Sequence, residues 1–326
     1  MSIPSALLFP GQGSQEPGMG RDAAEADAAV MDLWKKAEAA SNLPLREIYW
    51  DSEDQAAQAD TRALQPALTV VNLSLWRSLS KKLKPTATAG HSLGEYSALA
   101  AAGVLPEAAV VELVALRGRL MSEADPHGVG AMAAVLKLAQ PEVEACVVKA
   151  AEASGEMIVV ANYNTPGQIV ISGTKAAVAK AQELVKEAKG RAVPLPVSGA
   201  FHSPLMKEAA GEMAKAIAAV GKGSWSNARF PIYANATAKP ASDAGEIRDS
   251  LTIQMTSSVY WISTIANQWD NGARLFVECG PKGVLTKMVE PILKAHAPAA
   301  AAHSDAAPAW TAAGVGTLET IHTLSF

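Results

Sequence analysis

The residues Gly90-His91-Ser92-Leu93-Gly94 restrict this chain more than any other stretch. They fit the G-x-S-x-G turn that joins a strand to a helix. The β-prone run Pro85-Thr86-Ala87-Thr88-Ala89 enters the turn, and an Ala/Leu-rich helical run over 93–103 leaves it. So tight a turn holds its serine in a strained backbone region. Glycines on either side remove clashes between strand and helix. Ser92 then stands at a helix N-terminus, where free backbone N–H groups can bind a developing oxyanion. An ordinary Gly-Ser turn is the alternative, and the strand-before, helix-after context favours a nucleophile.

A serine nucleophile needs a base. Of the six histidines, His296 and His303 lie in or beside an Ala/Pro-rich tail, and His322 is near the C-terminus. His127 sits in a Pro-His-Gly loop, and His91 adjoins Ser92, where side chains leaving a sharp turn point apart. His202 remains, in the loop Ser198-Gly199-Ala200-Phe201-His202-Ser203-Pro204. It follows the serine by 110 residues, and no acid in a clear strand-end turn stands between them. The order Ser, acid, His of ordinary α/β-hydrolases is therefore missing, which suggests a neutral acceptor as the third member.

Arg117 is the next anomaly. In the helical run 106–121 it falls in line with Val110, Val114 and Met121, about 200° around from Arg119. A guanidinium on an apolar stripe must find an anion or snorkel to the edge. Bidentate capture of a substrate carboxylate is the functional reading. The loop Pro10-Gly11-Gln12-Gly13-Ser14-Gln15 follows the first strand, residues 6–9. It is no dinucleotide fingerprint, since Glu16 stands where the third glycine belongs, but it can offer a backbone N–H to an oxyanion.

Around these residues the chain alternates strand and helix. Helical periodicity covers 21–41 and 64–83, then 247–261 and 283–296, and strands are expected at 230–234 and 274–279. Residues 129–198 have another rhythm: strand 131–138, helix 141–153, strands 157–163 and 168–172, helix 175–188, strand 192–197. That β-α-β-β-α-β order is the ferredoxin-like arrangement. We expect it as a subdomain inserted into an α/β core built from 1–128 and 199–326. The Ala/Pro/His-rich stretch 295–313 reads as a linker.

Composition closes off other classes. Of 326 residues 49% are hydrophobic and 18% charged, ample for a packed core, and the net charge of −4 provides no drive toward nucleic acid. Cys146 and Cys279 have no CxxC partner and read as two reduced thiols. The longest apolar run, 98–116, is broken by Pro106, Glu107 and Glu112. Neither a targeting segment nor a membrane span is expected, so the expectation is a cytoplasmic protein, with a monomer as default. No P-loop and no H-E-x-x-H occurs, so no nucleotide phosphate chemistry, metal or other cofactor is expected.

Taken together, the motifs resemble those of the malonyl-CoA:acyl carrier protein transacylases. They run from Phe9-Pro10-Gly11-Gln12-Gly13-Ser14-Gln15 through Gln65-Pro66-Ala67, the Ser92 turn with Glu95, Arg117-Gly118, Asn164-Thr165-Pro166-Gly167-Gln168 and Phe201-His202-Ser203 to Glu278-Cys279-Gly280-Pro281. The resemblance implies a hydrolase-like α/β core with parallel sheet and a ferredoxin-like insertion. It implies Ser92 as nucleophile, His202 as base, and the N–H groups of Gln12 and Leu93 as oxyanion hole. Arg117 would hold the malonate carboxylate, and Asn164, Gln168 and Gln254 would belong to the substrate site, with the Gln254 carbonyl orienting the histidine. Ala200-Phe201-His202 is similar to the loop of malonyl-selective members. Malonyl-CoA is then a substrate, and holo-acyl carrier protein the acceptor. Such carriers are acidic, so Lys189 and Arg191 are expected near the site mouth. Gly280-Pro281-Lys282-Gly283 and the long tail depart from the family pattern, away from these residues. A plain serine hydrolase or thioesterase on the same core, a trans-acting polyketide acyltransferase, and a scaffold with a decayed site are the rivals.

Overall fold

The computed structural model describes residues 3–197, 199–297 and 309–324. In chain order its strands are β1 (Ser5–Phe9), β2 (Ala87–Gly90), β3 (Gly130–Leu136), β4 (Ile158–Thr165), β5 (Gln168–Thr174), β6 (Arg191–Pro194), β7 (Ile232–Tyr233), β8 (Pro240–Ala241), β9 (Leu275–Cys279) and β10 (Thr311–Val315). They form two sheets, one six-stranded in the order β10-β9-β1-β2-β7-β8 and one four-stranded in the order β4-β5-β3-β6.

The larger sheet is parallel apart from the terminal β7–β8 pair. Its centre, β1, has no exposed side chain from Ala6 to Phe9. A strand buried on both faces needs a layer on each side, and alternation along β1 supplies both contacts. Leu7 and Phe9 join the cluster that contains Leu64, Leu68 and Val71 of the helix Thr61–Leu79. Ala6 and Leu8 join Trp261, Ile265, Val289 and Ile292 from the helices Trp261–Asp270 and Thr286–His296 on the other face. The carboxyl ends of β1 and β2 share one edge, where the His91 N–H donates to the Phe9 carbonyl at 2.9 Å. Clefts at such strand ends are the usual ligand sites of parallel sheets.

The smaller sheet is antiparallel throughout. Its chain order, strand–helix–strand–strand–helix–strand, is the ferredoxin-like one expected from sequence. Ala133, Val135, Ile169 and Ile171 bury one face against Val143, Val147, Val178 and Val185 of the helices Gln140–Ser154 and Lys175–Glu187. Met132, Ala134 and Val170 of the opposite face merge with the main core, so this subdomain forms a wall beside the Ser92 turn.

Three expectations are corrected. Residues 21–41 form two helices, Arg21–Ala26 and Ala28–Ser41, because Asp27 leaves helical geometry and its carboxylate caps the second by accepting from the Ala29 N–H. Residues 247–261 are not one helix. The helix Ala244–Ile253 tightens into a 3₁₀ turn at Gln254–Thr256, and a new helix begins at Trp261. The break frees the Gln254 and Ser257 carbonyls, which both accept from His202. Part of the stretch read as a linker is structured: helix continues to His296, and Thr311–Val315 pairs with β9 along its whole length. The rest of that linker, 298–308, lies outside the described residues.

Candidate active site

The turn after β2 is possible only with its glycines. A Cβ at Gly90 would overlap the Gly94 backbone, and a Cβ at Gly94 would overlap the Phe9 carbonyl oxygen. Ser92 between them has φ 50°, the left-handed region that L-residues seldom adopt. Strain of this kind persists where the surroundings over-determine it. Here Asn235 does so: its Oδ1 accepts from the Ser92 N–H at 2.7 Å, and its Nδ2 donates to the Gly90 carbonyl at 2.6 Å. Gly94→Ala is expected to lower stability by about 3 kcal/mol or more, at the upper end of overpacking costs. An unchanged midpoint in chemical denaturation would contradict this reading of the turn.

His202 reaches the serine from the loop after β6. It too has positive φ, 55°, and the loop is closed by the Ser203 hydroxyl donating to the Ala200 carbonyl at 2.6 Å. His202 Nε2 lies 2.7 Å from Ser92 Oγ. Its Nδ1 lies 3.2 Å from the Gln254 carbonyl and 3.1 Å from that of Ser257. Carbonyls only accept, so Nδ1 carries the proton and Nε2 offers its lone pair to the serine hydroxyl. Burial, reinforced by the Arg117 charge and by His91, pushes the His202 pKa down to about 3 against the pull of the two carbonyls. The ring is therefore a neutral base at physiological pH. Its ring NMR signals are expected to show no titration between pH 8 and pH 5, whereas a midpoint near the ordinary 6.5 would contradict this site.

Arg117 is 1% exposed, although it carries a full charge. The helix Glu107–Glu123 turns it inward with Val110, Val114 and Met121, as the apolar stripe predicts. Its NH1 donates to Gln65 Oε1 at 2.8 Å, and its NH2 donates to Ser92 Oγ at 3.1 Å and to Gln254 Oε1 at 3.0 Å. Tyr96 lies beneath the guanidinium, 5.5 Å from its carbon to the ring centre. Among the described residues no carboxylate makes an ion pair with it, and its Nε has no acceptor. A buried cation whose direct hydrogen-bond partners are all neutral is costly. A bound carboxylate would remove that cost.

These groups meet at a cavity of about 110 Å³. Ser92, His202, Arg117, Gln12 and Leu93 line it, with Met121, Met132, Leu195, Val197 and Phe201 as its apolar wall. The backbone N–H groups of Gln12 and Leu93 donate to no acceptor among the described residues, whereas that of Ser92 is taken by Asn235. The Gln12 loop is pressed against the turn so closely that a Cβ at Gly11 would overlap the His91 carbonyl.

Other expected site residues lie elsewhere. Asn164 and Gln168 do not line the cavity. Asn164 Oδ1 accepts from His91 Nε2 at 2.8 Å while its Nδ2 donates to Gln168 Oε1 at 3.2 Å, so the pair orients His91. Asn162 is the asparagine at the cavity wall. Gln254 lies behind Arg117, 1% exposed. Lys189 and Arg191 are exposed and off the cavity. Arg191 opens β6, and the residues after that strand, Leu195 and Val197, reach the wall.

Sequence reasoning did not assign Gln65, Asn235 or Glu95 a role. Glu95 sits on the first turn after the serine, 3% exposed. It accepts from Gln254 Nε2 at 2.7 Å and from the Asn235 N–H at 3.3 Å. Burial raises its pKa to about 7, opposed by Gln254, Asn235 and the Arg117 charge. An acid three residues behind a nucleophile, at the start of a buried Ala-rich helix, was the available signal. Among the described residues no group of three or more His, Cys, Asp or Glu side chains is arranged to hold a metal, and no helix is long and apolar enough to cross a membrane.

Comparison with known proteins shows the family. Residues 6–323 match the acyl transferase domain family. A malonyl CoA-acyl carrier protein transacylase of Haemophilus influenzae is 39% identical over 88% of this chain and 92% of its own length. An acyl carrier protein S-malonyltransferase from Vibrio cholerae superposes with a TM-score of 0.87 at 34% identity, covering 98% of this chain and 99% of that one. A malonyl-transacylase solved in complex with a type II PKS acyl-carrier protein has a TM-score of 0.87 at 33% identity, covering 98% of each chain. With a family match spanning nearly the whole chain and relatives this similar end to end, the protein belongs to the malonyl CoA-acyl carrier protein transacylase family of acyl transferases.

Proposed function

We propose that the protein moves the malonyl group of malonyl-CoA to the phosphopantetheine thiol of holo-acyl carrier protein through a malonyl-Ser92 ester, supplying extender units for fatty acid synthesis. The observation that carries this reading is Arg117. A buried guanidinium 3.1 Å from the nucleophilic oxygen, with no carboxylate partner among the described residues, suits an acyl group that ends in a carboxylate. A simple ester hydrolase has no use for it.

The geometry supports the following steps. His202 Nε2 takes the Ser92 proton as Oγ attacks the malonyl thioester carbon. The negative charge on the thioester oxygen meets the N–H groups of Gln12 and Leu93. Collapse of the intermediate breaks the C–S bond, and His202 returns the proton to the CoA sulfur. The carrier thiol then gives its proton to His202 and attacks the Ser92 ester. A second collapse releases malonyl-carrier protein and restores the serine hydroxyl. The carbonyls of Gln254 and Ser257 stabilise the transient imidazolium, the task a carboxylate performs in a full triad. Arg117 fixes the acyl chain, so an attacking thiol finds aligned geometry that a random water does not.

The test is to mix the protein with malonyl-CoA and a bacterial holo-acyl carrier protein and follow the carrier by mass spectrometry. Malonyl-carrier protein formed in step with free CoA is expected. Free malonate with an unmodified carrier would instead identify a hydrolase. A type II polyketide carrier is the second acceptor to assay, because one was solved in complex with a structural neighbour of this chain.

A further inference from the structure

Gln254 connects Ser92, His202 and Arg117. Its backbone carbonyl accepts from His202 Nδ1 at 3.2 Å. Its side-chain oxygen accepts from Arg117 NH2 at 3.0 Å, and its amide nitrogen donates to the Ser92 carbonyl at 2.9 Å and to Glu95 Oε2 at 2.7 Å. An amide has two chemically different ends, and only one orientation suits these neighbours. Turned over, the NH₂ would face a guanidinium that can only donate, and the oxygen would face a carbonyl and a carboxylate oxygen.

Glu95 supplies the shortest of these contacts, 2.7 Å from its Oε2 to Gln254 Nε2. It is an ionisable acceptor, and hydrogen bonds to charged groups exceed neutral ones. Its own position is set from behind, because Oε1 accepts from the N–H of Asn235, the residue that clamps the Ser92 turn. Glu95 does not cap its helix, whose N-cap has no side-chain hydrogen bond. A buried carboxylate is a poor device for stability alone, so its placement calls for another reason.

We propose that Glu95 is a positioning residue for the acyl-carboxylate site: by accepting from Gln254 Nε2 it holds the Gln254 oxygen toward Arg117, and so aims the guanidinium at the substrate carboxylate. This rests on the malonyl reading of Arg117. Glu95 touches neither substrate nor reacting atoms. Its effect therefore falls on the preference for malonyl over acetyl groups more than on the Ser92–His202 pair.

The test measures kcat/KM for malonyl-CoA and acetyl-CoA with wild type, Glu95→Gln, Gln254→Met and the double variant. Glu95→Gln keeps the shape but cannot satisfy both the Gln254 amide and the Asn235 N–H as acceptor. The malonyl-to-acetyl ratio is expected to fall about tenfold, mainly through KM for malonyl-CoA, the scale of one lost hydrogen bond to a charged group. Gln254→Met breaks the same link from the other side and is expected to lower the ratio at least as far. In the Gln254→Met background, Glu95→Gln is expected to change the ratio less than twofold, because the two act in series. A merely structural Glu95 would depress both substrates alike, and that result overturns the proposal. An unaltered ratio in soluble Gln254→Met does the same, even if Glu95→Gln fails to fold. A wild type without malonyl preference would overturn the reading of Arg117 itself and the proposal with it, and is recognised before any variant is compared.

Discussion

His202→Ala is expected to slow Ser92 acylation by malonyl-CoA on the order of 10³-fold, near 4 kcal/mol of barrier, while leaving KM within a few-fold. The direction follows from the tautomer. Nδ1 is committed to two carbonyls, so Nε2 is the lone pair 2.7 Å from Ser92 Oγ. Without it the hydroxyl keeps its proton, and its remaining side-chain partner is the Arg117 guanidinium, which can only donate. In the proposed function malonate is held by Arg117 and the apolar wall, which the substitution leaves in place. Single-turnover release of CoA, followed by rapid quench, measures the step directly. A variant that acylates at the wild-type rate would mean that another base serves Ser92.

Arg117→Ala is expected to lower kcat/KM for malonyl-CoA on the order of 10²–10³-fold, the cost of losing a buried charge-assisted contact. Acetyl-CoA has no carboxylate to lose, so its kcat/KM should fall far less. The comparison matters because the substitution also strips Gln65 and Gln254 of their partner. Damage from those unpaired amides acts on both substrates, whereas the loss of carboxylate recognition acts on one. Equal losses for malonyl and acetyl groups would make Arg117 a structural residue.

The parts of the site legible in sequence are those set by local rules. Ser92 was marked by two glycines at fixed spacing, whose steric reason is visible in the overlaps with Gly94 and Phe9. Arg117 was marked by breaking an apolar stripe, and it is indeed buried. His202 emerged by elimination, and the missing triad acid corresponds to two backbone carbonyls. What stayed hidden depends on contacts between distant segments. Asn235 reaches the turn across 143 residues, and Glu95 and Gln254 meet across 159. Neither pair leaves a periodicity or a motif. The same limit explains two misread elements. The break at Gln254 sets its carbonyl against His202, 52 residues away in sequence, and the Ala/Gly-rich strand Thr311–Val315 is held by its neighbour β9. The motif at Asn164 and Gln168 is legible in the sequence, but the two side chains bond to each other and to His91 and do not line the cavity.

The central claim is a covalent malonyl-Ser92 ester, and intact-protein mass after brief mixing with malonyl-CoA tests it most directly. One malonyl adduct on the wild type is predicted, located to Ser92 by peptide mapping, absent from Ser92→Ala and discharged by holo-acyl carrier protein. An equal adduct on Ser92→Ala, or malonyl transfer to the carrier by that variant at the wild-type rate, would contradict the account.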